Sequence, residues 1–310
     1  MTGGSRRARI GAFVAELRAP FFTASVLPVV LGTMIAWARE GVFHGGLFML
    51  TMAGGILLHA GTNVINDYFD YLSGADDENR DFVRPFTGGS RLIQTGRLTP
   101  REVLAEAVLL YAAGCLIGLY LVSRVGYGVL LLGSIGVLSG LLYTWPSVAL
   151  VSRGLGEIAI GLNFGTLMTL GAYYVQTRSM SWEPVVASLP LALLIAAVVF
   201  INQFQDMKAD ALVGKWHWVV RLGRRRAASV YAMLLIFSYV AVVAGVALGV
   251  LPVGGLAMLL TFPLALKAIG VARVYYSSPQ ALVPANATTI VLHATTGVVL
   301  SLAYGVQLLV

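Results

Sequence analysis

Apolar residues in this chain do not alternate with polar ones; they run on. A membrane-spanning helix needs about 20 mostly apolar residues. Uncharged runs of that kind fall at about 19–38, 41–66, 107–123, 125–152, 158–177 and 184–205. The run over 227–266 is too long for one crossing and divides near Gly249–Gly255, and a last run covers about 286–309. The pattern predicts an all-α, polytopic membrane protein of nine transmembrane helices.

Polar residues gather in two places. One Asp-rich loop, 67–101, follows helix 2; the other, 206–226, follows helix 6. The stretch HAGTNVINDYFDYLSGADDENRDFVRP (His59–Pro85) holds six of the chain's 14 acidic residues: Asp67, Asp70, Asp76, Asp77, Glu78 and Asp81. The second, INQFQDMKADALVGKWHWVVRLGRRR (Ile201–Arg226), holds Asp206 and Asp210. Asp67 and Asp206 lie 139 residues apart. Four predicted helices separate them, and an even number returns the chain to the same membrane face. That is a parallel internal pseudo-repeat, an arrangement that places functional sites between the halves.

Composition agrees. The chain is 58% hydrophobic and 11% charged, with mean hydropathy +0.82, against roughly a quarter charged for a soluble domain. Residues 1–310 read as a single transmembrane domain. The lone Cys115 excludes an intrachain disulfide. The basic start, which includes Arg6, leads into a full-length apolar segment rather than a cleavable leader, so that segment is expected to stay as helix 1. With the N-terminus inside, inner segments hold 17 Lys and Arg and outer loops hold 3, so the N-terminus is assigned to the inside and the C-terminus to the outside. The net charge of +7 does not signal nucleic acid, because the basic residues sit between apolar runs. Small-xxx-small pairs (Gly114/Gly118, Gly136/Gly140, Gly161/Gly165, Gly245/Gly249) read as helix packing.

Spacing then brings chemistry. Asn63, Asn66, Asp67 and Asp70 differ by three and four and share one helical face; so do Asn202, Asp206 and Asp210. These are hard oxygen donors, suited to Mg²⁺ with waters and substrate phosphates, and no His/Cys set has transition-metal spacing. Arg84, Arg91, Lys208, Lys215 and Arg221 lie nearby, and the Gly88-Gly89-Ser90 turn offers backbone N–H groups. Acids and bases together suit a metal-bridged polyphosphate. No GxxxxGK[ST] is present, so this is no P-loop. Asp76, Asp77, Glu78 and Asp81 read equally as solvated loop. Tyr143 and Arg153 fall on the inner side and Asn163 in mid-helix, as candidate substrate contacts or packing residues. His59 reads as a satisfied core histidine, His217 as interfacial between Trp216 and Trp218, and His293 as structural. The sequon at Asn286 is predicted on the inner side and is discounted.

These residues resemble the UbiA superfamily of intramembrane aromatic prenyltransferases, which have nine helices and two Asp-rich motifs. The first motif, NDxxDxxxD, appears as NDYFDYLSG: Asn66, Asp67 and Asp70, with Gly74 in the last acidic place and Asp76 or Asp77 as replacement. The second, DxxxD, is DMKAD, Asp206 and Asp210. With GGSRLIQTGRLTP and GLGEIAIGLNFG, and with Asn202, Lys215, Arg221, Leu222 and Gly223 in place, the chain is most similar to the MenA branch. Gln205 stands where an Arg is common. The resemblance implies Mg²⁺-dependent transfer of a polyprenyl group from prenyl diphosphate to 1,4-dihydroxy-2-naphthoate, in menaquinone biosynthesis. It implies a bacterial plasma membrane with the site on the cytoplasmic side. It casts Asp67, Asp70, Asp206 and Asp210 as catalytic. Asn63, Asn66, Asn202 and Asp76 join them as metal-holding residues. Tyr68, Tyr143, Trp145 and Phe164 become the faces that stabilise an allylic cation. Alternatives are a terpene cyclase, or a phenol, haem or glycerol-lipid acceptor. An ion-coupled transporter is the remote alternative, since its sites lie near the midplane rather than at helix ends.

Overall fold

A computed structural model describes residues 3–80 and 82–309. Asp81 lies outside these residues, and so does the side chain of Arg6. The described residues contain helices and connections but no strand. In chain order the helices are α1 Gly3–Glu16, α2 Thr23–Glu40, α3 Gly45–Ser73, α4 Pro100–Val125 and α5 Gly128–Thr144. There follow α6 Gly156–Thr177, α7 Trp182–Leu212, α8 Trp218–Ala247, α9 Val253–Tyr275 and α10 Gln280–Val306. Among the described residues eight segments are long and apolar enough to cross a membrane, with α1 and α2 counted together as Arg7–Glu40. The chain is an integral membrane protein. At 17 residues α5 is shorter, about 26 Å long against a hydrocarbon core of about 30 Å.

Two boundaries differ from the sequence reading. The basic start is a helix of its own. Arg18 adopts a left-handed conformation (φ 55) and Pro20 follows, which separates α1 from α2. Helix α1 buries Ala12 and Glu16, pairs Arg9 with Glu102 of α4, and leaves Ile10 and Val14 exposed. Its apolar content is too low to read as a span. The second difference lies at the Asp-rich segments. Helix continues through Ser73 and through Leu212, past the uncharged runs that end near 66 and 205, so the helical face read for each acidic motif is present and only the loops begin later. Each helix stops just before a glycine of positive φ, Gly74 at 76° and Gly214 at 78°, the residue that bears this conformation at least cost.

The two halves follow one plan: α4 returns along α3, and α8 returns along α7. Helix α4 starts sharply because Thr99 caps it, Pro100 opens it and Glu102 closes a capping box,. The larger core gathers Leu191, Phe200 and Phe204 of α7 with Tyr231 and Leu235 of α8 and Leu292 and Leu300 of α10. A smaller one joins Val64 and Ile65 to Val103, Ala107 and Tyr111. Apolar side chains at helical spacing face outward, as with Met233, Ile236, Phe237 and Val240 of α8, which is the surface lipid requires.

Of the small-residue pairs, Gly161 and Gly165 set α6 directly on α7. A Cβ at Gly165 would stand 2.6 Å from Ala192 Cα, so the backbones touch only because it is absent. Gly165→Leu is expected to destabilise the bundle by about 1–3 kcal/mol. Gly270→Ala, where an added Cβ meets nothing within 4 Å, is expected to change stability by no more than about 1 kcal/mol. Thermal unfolding in detergent compares the two.

Candidate functional site

The ends of α3 and α7 meet over a cavity of about 340 Å³. Asp70, Asn66 and Asn63 line it from α3, and Asn202, Gln203, Asp206 and Asp210 from α7. Asp76, Asn79, Lys215 and His217 close it from the connecting segments. The helical spacing of the acids therefore does bring both Asp runs to one space.

Each of the four carboxylates is tethered by a neighbouring side chain. Asp70 Oδ1 accepts from Lys215 Nζ at 2.5 Å. Asp206 Oδ1 accepts from Asn79 Nδ2 at 2.6 Å. Asp210 Oδ2 meets His217 Nε2 at 3.1 Å, and Asp76 Oδ2 accepts from Gln94 Nε2 at 3.0 Å. The Lys215 ammonium also stands 3.8 Å from Asp210 Oδ1. Burial works against its charge, but the Asp70 and Asp210 carboxylates outweigh burial and raise Lys215 above the ordinary lysine range. For Asp76 burial comes first and the Asp70 and Asp67 charges second. Together they push its carboxyl up to about 8 despite Lys215 and Arg91.

The question raised by Gly74 has a geometric answer. Gly74 takes the left-handed turn that ends α3. One helical turn, Ala75–Glu78, then runs back toward the site. Asp76 is 5% exposed and lines the cavity, whereas Asp77 and Glu78 face out.

Asp67 is placed differently. It is 3% exposed and does not line the cavity. Its Oδ2 accepts from the Ser90 backbone N–H at 2.7 Å and its Oδ1 lies 3.6 Å from Arg18. It pins the Gly88-Gly89-Ser90 turn, whose glycines form part of the wall. The remaining candidates divide. Tyr143 and Phe164 line the cavity, but Tyr68 turns to the α3–α4 core beside Phe69, and Trp145 is 48% exposed. Arg91 serves the loop, donating to the Asp76 and Asn79 carbonyls, and Arg84 donates to the Ser90 carbonyl. Arg153 donates to the Ser147 carbonyl, and Arg221 to those of Trp216 and Ser152. Lys208 is exposed. Asn163 bonds Ser139 and faces a second cavity, of about 180 Å³. That cavity shares His59, Thr62, Tyr143, Ile160 and Phe164 with the first, so the charged space opens into an apolar extension. His217 is fully buried rather than interfacial. Asn286, of the sequon, is buried against Asn202 and Gln205. His59 is satisfied by Ser25 Oγ at 2.7 Å.

Sequence reasoning missed Asn79, Gln94, Gln203 and Arg18. Arg18 alone carried a signal, a cation beside the Pro that ends a basic helix.

The donor set fits a hard divalent cation. Among the described residues no three His, Cys, Asp or Glu side chains stand ready to ligate an ion as they are. The Lys215 ammonium instead takes the position between Asp70 and Asp210. Carboxylate and amide oxygens around a cation are what Mg²⁺ asks for.

The family model of the UbiA prenyltransferase family matches residues 25–305. The chain is 27% identical over 295 residues to the 2-carboxy-1,4-naphthoquinone phytyltransferase of Synechocystis sp., covering 94% of this chain and 92% of that protein. It is 32% identical over 253 residues to the 1,4-dihydroxy-2-naphthoate octaprenyltransferase of Mycobacterium tuberculosis, covering 80% and 82%. Its fold matches a UbiA homolog from Archaeoglobus fulgidus bound to DMAPP and Mg²⁺. The TM-score is 0.58 at 14% identity, over 93% of this chain and 99% of that one.

Calorimetric titration with Mg²⁺ is expected to separate the two acids after Gly74. Asp76→Ala weakens binding about 10-fold or more, whereas Asp77→Ala stays within about twofold. Asp67→Asn is expected to leave Mg²⁺ affinity within a few-fold, because its side chain holds the 88–90 turn and not the cavity wall.

Proposed function

The chain belongs to the UbiA prenyltransferase family, and we propose that it transfers a polyprenyl group from prenyl diphosphate to 1,4-dihydroxy-2-naphthoate with the help of Mg²⁺. One observation carries this reading. Four carboxylates from the two Asp runs line one end of a cavity whose other end is apolar. A metal-bound diphosphate and a polyprenyl chain need those two environments side by side. The naphthoquinone and dihydroxynaphthoate substrates named for two relatives support the acceptor. The DMAPP and Mg²⁺ of the fold relative support the donor and the metal.

Asp70, Asp76, Asp206 and Asp210, with Asn66 and Asn202, would hold the metal. When bound, Mg²⁺ supplies positive charge that stabilises diphosphate as it leaves. Lys215 and Arg18 face the diphosphate oxygens and share that task. The Asp67–Ser90 bond keeps the Gly88–Gly89 turn against the same group. The allylic C–O bond breaks with its electron pair going to diphosphate. Phe164 and Tyr143 present aromatic faces to the allylic cation. The ring carbon that bears the carboxylate attacks, a C–C bond forms, and its C–CO₂⁻ bond breaks with the electron pair returning to the ring, so that carbon dioxide leaves and aromaticity is restored.

The same reading takes residues 1–310 as one transmembrane domain with α5 as the ninth crossing and the N-terminus inside. The site then faces the cytoplasm of a bacterial plasma membrane, where the excess of Lys and Arg lies. The lipid bilayer is the source of the prenyl substrate.

Incubation of purified protein with Mg²⁺, geranylgeranyl diphosphate and 1,4-dihydroxy-2-naphthoate, read by mass spectrometry, is expected to give a prenylated naphthoquinol. EDTA abolishes the product and added Mg²⁺ restores it. Asp70→Ala and Asp206→Ala lower kcat/KM at least about 10³-fold while the proteins still purify folded. A cyclised hydrocarbon formed without acceptor overturns the assignment.

A further inference from the structure

Two polar side chains at the inner end of the cavity have no part in the mechanism above. Gln203 lies on α7 about one helical turn inward of Asp206; it is 6% exposed and lines the cavity. Neither its Oε1 nor its Nε2 has a hydrogen-bond partner. His293 lines the same cavity from α10 at 2% exposure, and its Nε2 is also without a partner. Their neighbours are paired. Asn286 donates to Asn202 Oδ1 at 2.7 Å, and Gln205 donates to Asn286 Oδ1 at 3.1 Å. His59 is held by Ser25 and His217 by Asp210. The fold thus satisfies the nearby amides and the other two cavity histidines, but not these two. A buried polar group left unpaired carries its full desolvation cost, and each such group calls for an explanation.

We propose that Gln203 and His293 form the recognition site for the ring acceptor and read a ring hydroxyl. This rests on the prenyl-transfer reading above and names the chemistry by which the acceptor is chosen. An amide with both ends free matches a group that both donates and accepts, as a hydroxyl does. The imidazole Nε2 does either, according to tautomer. A prenyl chain offers neither function. Diphosphate belongs at the charged end, where Lys215, Arg18 and a carboxylate-held Mg²⁺ would meet it. The surrounding wall is made by Ala24, Ile160, Phe164, Ile195, Val198 and Ile290, an apolar setting for a flat ring. A site built to bond a hydroxyl rejects an analogue that lacks it.

The test uses calorimetric binding to the detergent-solubilised full chain without prenyl diphosphate. The probes are 1,4-dihydroxy-2-naphthoate and its 1,4-dimethyl ether. Wild type is expected to bind the diol at least about 10-fold more tightly than the ether. Gln203→Leu and His293→Phe each lose about 10-fold toward the diol and little toward the ether. Binding of geranylgeranyl diphosphate with Mg²⁺ stays within about twofold. Gln203→Met replaces Gln203→Leu if the latter melts early. A wild type without preference for the diol overturns the proposal, as do variants that keep the preference or lose both probes equally. Turnover separates the two readings. Wild type that binds the diol selectively but never prenylates it defeats the prenyl-transfer assignment and leaves the hydroxyl site standing. Wild type that prenylates it while the variants bind unchanged defeats the hydroxyl site alone.

Discussion

Four carboxylates share one space at the edge of an apolar bundle, and a cation among them makes that arrangement tolerable. Charges a few ångströms apart interact strongly where protein and lipid lower the dielectric, so acids left here without a cation would take up protons rather than stay charged. Lys215 supplies the cation, between Asp70 and Asp210. The rest of the connecting structure serves the same need. The 74–99 segment folds back so that Asn79 and Gln94 each hold one carboxylate oxygen. Asp67 and Arg91 in turn hold that segment, through the Ser90 N–H and the Asp76 and Asn79 carbonyls. Each acid thus has at least one oxygen fixed by a neighbouring side chain.

The spans and the converging acids were legible because both are local patterns. A run of apolar residues states its own length, and spacings of three and four state their own face. The errors came at ends and in loops. Helices α3 and α7 run past the last uncharged residue, so the helical faces of the motifs stand and only the loop bounds lie further on. Helix α1 has too few apolar residues to stand out. The basic residues were the least legible part. Arg84, Arg91 and Arg221 read as diphosphate contacts and Arg153 as a substrate contact, and each also donates to a backbone carbonyl. A loop without regular structure must still pair its carbonyls, and nothing in the local sequence tells that duty from ligand binding. Asn79 and Gln203 were invisible for a similar reason, and His293 read as structural: their meaning depends on what lies opposite.

Gly74 shows how a departure from a motif can preserve its geometry. A carboxylate at this position would continue the helical face of Asp70. The glycine ends the helix at a positive φ instead, and the chain turns so that Asp76 enters the cavity from a new direction. The count of acids is kept although the spacing is not. Reading the motif as a string finds a missing residue; reading it as a demand for oxygen donors in one place finds a substitution.

The glycines of the bundle divide by the same logic. Gly161 and Gly165 let α6 and α7 touch, and Gly114 receives Leu58. Gly118, Gly133 and Gly136 were read as packing contacts or passed over, but they line the apolar extension instead. A missing side chain permits close approach where a neighbour fills the space and leaves a groove where none does. That groove meets the charged end at Tyr143 and Phe164, past the amide layer of Asn63, Asn66, Asn202 and Gln203. Polarity therefore falls in steps along one continuous space, from carboxylates through amides to aliphatic walls. Each buried CH₂ of a prenyl chain gains about 0.8 kcal/mol by leaving water, and a diphosphate gains nothing there. In the proposed reaction this gradient, with the cations at its charged end, fixes which end of the donor lies where. The allylic carbon is then held at the boundary, where the two aromatic faces stand.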